Sequence, residues 1–315
     1  MICYAEVSTG SGGNSAAIVP SALVIARLAV ASLHAELVLY PKPGLVSLVD
    51  DGSHADMTAA TFMRSIFALR RYFGEIAAAG STDADFAQLM QLGMTAEQRM
   101  LRATAGINTH RGAIFFLGLL CAAAGYVITE NPAGAAITPA ALRAAIGHRW
   151  GAALSRHCSQ RSPTAHGTRA SILHGIGGAR AQAAAGMPAV FEIALPALQH
   201  TLAAGRSLHC ARTDAFFSLL ARLDDSNVYH RGGAAGGVLV RDLGQRFISQ
   251  GGTASPHWHA TAVAGHRLLV ARRLSPGGSA DLLAATCLVH ALTEYCVAAA
   301  LPTAHAGECA IGADR

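Results

Sequence analysis

The chain has few charged residues and a single lysine. Of its 315 residues, 14% are Asp, Glu, Lys or Arg and 52% are hydrophobic. An average soluble protein has about 25% charged residues, and a disordered chain needs high charge with low hydrophobicity, so disorder is excluded. The net charge of +5 is carried by 23 arginines and Lys42, without the basic runs and interleaved aromatics of a nucleic-acid surface. Because guanidinium groups prefer bidentate anionic partners, a phosphorylated ligand is favoured.

Export and zinc signals are also lacking. The seven cysteines include no CxxC pair and no zinc-ligand spacing, which indicates reduced thiols in the cytoplasm. The first cation is Arg27, so the N-terminal segment lacks the basic start of a secretory signal, and we expect a cytoplasmic protein. The uncharged stretch 112–129 reaches the lower length limit of a membrane span. Its three glycines and the lack of a basic flank beyond Arg111 favour a buried core helix instead.

Helical signals follow one another along the chain, and no strand alternation is found. The sequence therefore predicts an all-α protein of about eleven helices with Gly-rich turns. We predict a loose leader over 1–19, one catalytic domain over 20–305 and a tail over 306–315. Thr138 and Pro139 are typical of a helix N-cap and first turn. The predicted helices are 20–39, 56–79, 83–105, 110–126, 140–157, 167–185, 189–204, 212–223, 236–249, 256–273 and 279–300.

An acidic turn follows the first predicted helix. Four of the 19 acidic residues lie within a short stretch there: Glu36, Asp50, Asp51 and Asp56. The proline-containing loop 41–46 cannot be helical at its prolines and leads into this turn. Hard oxygen ligands on a Gly-containing turn suit Mg²⁺ bound jointly with phosphate oxygens. The alternative is that Asp56 caps the second helix while the neighbouring carboxylates are solvated. Lys42 is either a phosphate contact or has no role in the site.

Residues 106–112 form a second candidate site, directly before the apolar helix. Asn108 and Thr109 are able to cap that helix, and free backbone N–H groups beside Arg111 make an anion site. The alternative is an ordinary N-cap with His110 and Arg111 on the surface. A Walker A loop is excluded, because its spacing and its preceding strand are both missing.

Two further Gly-rich turns carry polar residues. In 224–233, Asp224 and Asp225 precede Arg231 and a glycine pair, so a base, a metal ligand and a phosphate-binding group lie close together. Residues 275–281 open a helix with Asp281 in its first turn, and the alternative there is plain capping by Ser279. Weaker candidates are 164–167 and 177–180. Four such turns in a protein poor in polar residues predict a Mg²⁺-assisted site for a polyphosphate ligand.

At these same turns the sequence resembles the triphosphoribosyl-dephospho-CoA synthase family, which makes the prosthetic-group precursor of citrate lyase and malonate decarboxylase. The long first motif and the stand-alone chain are more similar to the malonate decarboxylase branch. The chain departs from the family at 181–183, where a Glu is common, and over 240–273. The matching strings are 41–46 (PKPGLV), 52–57 (GSHADM), 108–114 (NTHRGAI), 178–180 (GAR), 225–227 (DSN), 230–233 (HRGG) and 275–283 (SPGGSADLL).

The resemblance implies a transferase that joins ATP to 3′-dephospho-CoA. The 2′-hydroxyl of dephospho-CoA replaces adenine at C1 of the ATP ribose, and the triphosphate stays on the product. An oxocarbenium-like transition state needs a carboxylate to stabilise charge or accept a proton, and a donor for the departing base. The product would pass to a carrier-protein prosthetic-group transferase. No nucleic acid or membrane is implied, and exposed apolar helix faces favour a homodimer.

The reaction suggests a division of roles. We predict that the four acidic residues named above bind Mg²⁺ and that Asp225 is the base, with His110 or His230 as alternates. The rival hypotheses are an all-α, Mg²⁺-dependent nucleotide or ADP-ribosyl hydrolase and a helical scaffold whose turns are only caps. The residues predicted to bind substrate phosphates are Lys42, Asn108, Thr109, Arg111, Arg180, Arg231, Gly232, Gly277, Gly278 and Ser279.

Overall fold

The computed structural model describes residues 20–130, 136–159 and 178–300, and within these ranges the fold is all-α, as predicted. Two π-helical segments, Ile146–Trp150 and Ala189–Ala194, run directly into the helices that follow them. The α-helices are α1 (Ala22–Leu37), α2 (Ala59–Ser81), α3 (Phe86–Ala103), α4 (Arg111–Glu130), α5 (Pro139–Ala145), α6 (Gly151–Ser159), α7 (Gly178–Ala184), α8 (Leu195–Ala203), α9 (Leu208–Arg222), α10 (Ser226–Ser249), α11 (Trp258–Ala271) and α12 (Gly277–Ala300).

Side-chain caps set most helix starts. Thr138 caps α5 with Pro139 in the first turn, as predicted. The cap of α2 is Thr58, so the interpretation of Asp56 as its cap is wrong. Helices α9 and α10 begin before the predicted positions 212 and 236, because Ser207 and Asp225 cap them ahead of the apolar periodicity. The segments 1–19, 160–177 and 301–315 lie outside the described residues, and with them the leader, the tail and the candidate 164–167.

Helix α4 lies in the interior, as predicted for the uncharged stretch 112–129. It packs against α2, α3 and α12, and α1 packs against α2 and α12. Gly80 of α2 and Gly125 of α4 let the two backbones touch, since a Cβ on either would lie 2.0 or 2.1 Å from a carbonyl oxygen of the other helix. Within the described residues, α4 and Gly277–Ala298 have the length and hydropathy of membrane spans, but 72% and 61% of them are buried in the bundle.

One end of this bundle brings the sequence motifs together. The loop 38–58 connects α1 to α2 and packs beside the 272–276 connection. The N-termini of α4, α10 and α12 meet there through the carboxylates of Asp225 and Asp281. Because each helix N-terminus carries partial positive charge, this junction stabilises negative charge.

Candidate active site

The loop 41–56 is pinned to the segment before α12. Gly44 has φ of 73°, and a Cβ there would lie 2.2 Å from the carbonyl oxygen of Leu274. Ser53 Oγ donates to that same carbonyl at 2.6 Å. His54 Nε2 lies 2.8 Å from Ser275 Oγ. Two motifs more than 200 residues apart in the chain therefore pack together as one wall of the candidate site.

Arg231 determines how His54 is bonded. Its Nη2 lies 3.3 Å from His54 Nδ1, and because a guanidinium only donates, Nδ1 accepts and Nε2 carries the proton. The ring thus donates to Ser275 Oγ and does not activate that hydroxyl, although Asp56 Oδ1 lies 3.7 Å from Nδ1. Burial, with the charge of Arg231, lowers the pKa of His54. Arg231 also donates to the Ser53 carbonyl at 3.1 Å, so it holds the wall together.

The four predicted Mg²⁺ ligands are not assembled into one set. Within the described residues, no group of three or more His, Cys, Asp or Glu side chains is arranged to hold a metal ion. Glu36 is buried and paired with Lys42, whereas Asp51 and Asp56 are exposed. Asp50 Oδ1 accepts from the Gly52 N–H at 2.8 Å and lies 3.0 Å from His266 Nε2. The Mg²⁺ prediction therefore depends on the exposed oxygens of the turn and on phosphate oxygens.

Lys42 is buried, with 1% of its surface exposed. Its Nζ donates to the carbonyl oxygen of Glu36 at 2.7 Å and pairs with Oε1 of the same residue. Burial lowers the pKa of Lys42 and raises that of Glu36, and the opposite charge of each partner counteracts the effect. The predicted contact of Lys42 with phosphate finds no support in this arrangement, because the amine faces Glu36 in the interior.

Asp225 joins two helices. Its Oδ1 accepts from Asn227 N at 2.9 Å, and its Oδ2 accepts from the N–H and hydroxyl of Ser279 at 2.7 and 3.0 Å. Burial raises the pKa of Asp225, and these bonds oppose that rise. A Cβ on Gly278 would lie 3.1 Å from Oδ2, so a larger residue there would press against this carboxylate. Since both oxygens are occupied, the geometry favours an anchoring role over the predicted role as base.

Asp281 was assigned no role from sequence, yet it lies at the centre of the junction. It accepts the N–H of Ala113, and a Cβ on Gly112 would lie 2.1 Å from its Oδ2. Burial raises the pKa of Asp281 well above its ordinary value, and the neighbouring charges of Glu36 and Asp225 raise it further. The sequence signal for Asp281 was its position in the first turn of a helix among glycines. Gly112, the glycine against which it packs, lies far away in the chain.

His110 lies in the interior, so the interpretation that placed it on the surface is wrong. Its Nδ1 lies 2.6 Å from Ser65 Oγ, and Phe62 packs edge-on against the ring with centroids 4.9 Å apart. Burial, with the charge of Lys42, lowers the pKa of His110 to about 3. Its Nε2 and Thr109 Oγ1 are buried and find no hydrogen-bond partner among the described residues. Such orphaned atoms are rare, and ordered water, an ion or a functional role is their usual explanation.

The other predicted phosphate contacts are divided between surface and interior. Asn108 Oδ1 accepts from the Arg111 N–H at 3.2 Å, which is the predicted cap of α4. The Arg111 side chain is exposed and donates from Nε to Glu97 Oε1 at 2.6 Å. Arg180 is in α7, Gly232 contacts Leu274, Gly277 contacts Asn227, and His230 is exposed on α10.

A groove of about 910 Å³ lies elsewhere, between α1 and α2. Its lining is mostly apolar, with Arg27, Arg70 and Arg71 among the polar residues. None of the predicted site residues lines it. The groove is therefore separate from the junction of the three helix N-termini. The homodimer stays a prediction.

Comparison with known proteins supports the resemblance. Residues 22–298 match the family described as ATP:dephospho-CoA triphosphoribosyl transferase. A 2-(5″-triphosphoribosyl)-3′-dephosphocoenzyme-A synthase of Pectobacterium atrosepticum is 39% identical over 82% of this chain and 86% of its own. Probable synthases of the same description from Acinetobacter calcoaceticus and Vibrio cholerae are 37% and 35% identical, over 82% and 92% of this chain and 87% and 93% of theirs. No solved structure matches the chain.

Proposed function

Because the chain belongs to the ATP:dephospho-CoA triphosphoribosyl transferase family, we propose that the transfer takes place where the N-termini of α4, α10 and α12 meet. The reaction itself follows from the family: the triphosphoribosyl group of ATP is joined to dephospho-CoA. The observation that carries the placement is the pair of orphaned atoms, His110 Nε2 and Thr109 Oγ1, directly before α4. A substrate ribose with its hydroxyl groups supplies the hydrogen-bond partners that both atoms lack.

In this proposal His110 replaces Asp225 as the base. Its low pKa keeps the ring neutral near pH 7. When Nδ1–H donates to Ser65 Oγ, Nε2 is left with a free lone pair. This nitrogen accepts the proton of the attacking 2′-hydroxyl as the new C–O bond forms. A weak base suffices, because an oxygen that is bonding to an oxocarbenium carbon becomes strongly acidic.

The triphosphate is held at the edge of the same junction. The partial positive charge at the N-terminus of α4 and the exposed side chain of Arg231 suit an anion. Asp51 and Asp56 present exposed carboxylates on the neighbouring turn, and hard oxygens of this kind suit Mg²⁺. We propose these two residues as its protein ligands, and the ion would neutralise phosphate charge when bound.

The test is chromatography of free adenine after incubation with ATP and Mg²⁺, with and without dephospho-CoA. We expect His110→Asn to lower adenine release by about 100-fold, while ATP still raises the melting temperature. His200→Asn, which changes an exposed histidine of α8, is the matched control and should match the wild type. Wild-type turnover by His110→Asn would refute the placement. Adenine formed equally without dephospho-CoA would instead support the nucleotide hydrolase.

We further propose that the product serves the malonate decarboxylase carrier protein in the cytoplasm, reaching it through a prosthetic-group transferase. The form of the 41–46 motif supports this branch, and the free cysteines of the described residues suit a reducing compartment. The test supplies the purified product to apo-carrier subunits of malonate decarboxylase and of citrate lyase, each with its own transferase. Faster loading of the citrate lyase subunit would contradict the proposal.

A further inference from the structure

The departure of adenine needs a proton donor, and Asp281 is placed to provide it. We propose that Asp281 is the general acid of the transfer and gives its carboxyl proton to a ring nitrogen of adenine as the base leaves. The inference rests on the placement of the reaction proposed above. Asp281 lies over the first turn of α4, against Gly112, and Gly112 follows His110 by two residues in the chain. Part of its surface is exposed, whereas Asp225 and Glu36 are buried.

Three carboxyl groups lie near one another at this junction, and their partners decide which one keeps a proton. Glu36 from α1 is ion-paired with Lys42 of the following loop, which favours its ionised form. Asp225, before α10, accepts from the N–H and hydroxyl of Ser279 and from two further backbone N–H groups, which stabilise its ionised form. Asp281 on α12 accepts one bond among the described residues, from the Ala113 N–H of α4.

The electrostatic surroundings also favour a proton on Asp281 over one on Glu36 or Asp225. Burial and the negative charges of Glu36 and Asp225 raise the pKa of Asp281 well above its ordinary value, in opposition to the Ala113 N–H and to the partial positive charge of the helix N-termini. His110, directly before α4, is neutral near pH 7 because its pKa is lowered to about 3. Closely spaced carboxyl groups whose surroundings separate their pKa values divide into a proton donor and ionised partners. Asp281 is the donor of this set.

The step balances without any additional reactant. The bond between C1′ of the ATP ribose and N9 of adenine breaks, and its electron pair goes to adenine. Adenine takes the proton of Asp281 and leaves as a neutral base, while the 2′-oxygen of dephospho-CoA bonds to C1′. The hydroxyl proton goes to His110 Nε2 and then to water, and the Asp281 carboxylate recovers a proton from water.

The experiment compares Asp281→Asn with the wild type on ATP and on 7-methyl-ATP, whose base already carries the positive charge that proton transfer would create. Asn keeps the size of the side chain and an acceptor for the Ala113 N–H. We expect turnover of ATP to fall by about 100-fold or more, and turnover of 7-methyl-ATP to stay within a few-fold of the wild type. Glu294→Gln, which changes an exposed carboxylate further along α12, should leave both rates unchanged.

The pH profile is the second readout. With ATP, turnover of the wild type should fall as pH rises through the pKa of Asp281, and Asp281→Asn should lack this limb. The profile decides the question if 7-methyl-ATP is not accepted by the wild type. Wild-type turnover of ATP by Asp281→Asn, an equal loss on both substrates, or a wild-type profile without the limb would overturn the acid role.

The same variants separate this inference from the proposed placement. If the placement is wrong, His110→Asn and Asp281→Asn both turn over ATP like the wild type. If the acid role alone is wrong, His110→Asn still loses turnover, while Asp281→Asn either retains it or loses it equally on both substrates.

Discussion

Replacing Gly112 by alanine moves the Asp281 carboxylate without removing any functional group. The new Cβ would lie 2.1 Å from Asp281 Oδ2, and ordinary contact begins at 3.4 Å, so the carboxylate must retreat by about 1.3 Å. The buried Ala113 N–H then loses its acceptor and is left unsatisfied, at a cost of about 1–3 kcal/mol. Alanine in a helix recovers about 1 kcal/mol relative to glycine. We therefore expect a net loss of about 1 kcal/mol in the free energy of unfolding.

Turnover should respond far more than stability. A displacement of about 1 Å at a reacting group costs about 100-fold, and we expect that loss in adenine release by Gly112→Ala. Urea unfolding and adenine chromatography on the same preparation measure both effects. The matched control is Gly151→Ala at the start of α6, where no described atom lies within 4 Å of the added Cβ. It should retain turnover and gain a little stability, whereas wild-type turnover by Gly112→Ala would refute the reasoning.

Three further predictions concern the buried charges. Lys42→Met leaves Glu36 unpaired in the interior and should lower the free energy of unfolding by about 3–5 kcal/mol. The double variant with Glu36→Gln should recover most of that loss. A loss below about 1 kcal/mol in Lys42→Met would contradict a buried ion pair. Because the pKa of Asp281 is raised on folding, its protonated carboxyl contributes stability that is fully present below the unfolded pKa of about 3.9 and is lost as pH rises through the folded value. Asp281→Asn should therefore have a higher melting temperature than the wild type at pH 8 but not at pH 4. Equal differences in melting temperature at the two pH values would contradict the raised pKa. Asp225→Asn should lower the melting temperature more than turnover, and the reverse result would restore its role as base.

The helical fold was predictable because its signals are local. Caps such as Thr138 and the apolar periodicity of the α4 stretch are set by residues within one or two turns. The start of α10 was missed by ten residues, since glycines over 232–237 weaken the helical signal and Gly233 breaks the helix with φ of 58°. Its first turns depend on Asp225, whose bonds reach across to α12.

The site was predictable as segments but not as an arrangement. Each motif indicated its own polar residues, and three of the four Gly-containing turns meet at the junction of the helix N-termini. Spacing cannot show that Lys42 faces inward onto Glu36, nor that Oδ2 of Asp225 accepts two hydrogen bonds from Ser279. The sequence predicts no role for Asp281, because its surroundings depend on Gly112 and Glu36, which lie far from it in the chain.

The burial of Lys42 has a consequence for chemical labelling. It is the chain's one lysine, so apart from the α-amine the folded protein offers an acylating reagent no accessible amine group. A label found on Lys42 therefore records the moments at which the loop 41–56 separates from α1 and α12. The rate of labelling relative to a free amine gives the free energy of that opening, and substrates that bind beside the loop should slow it.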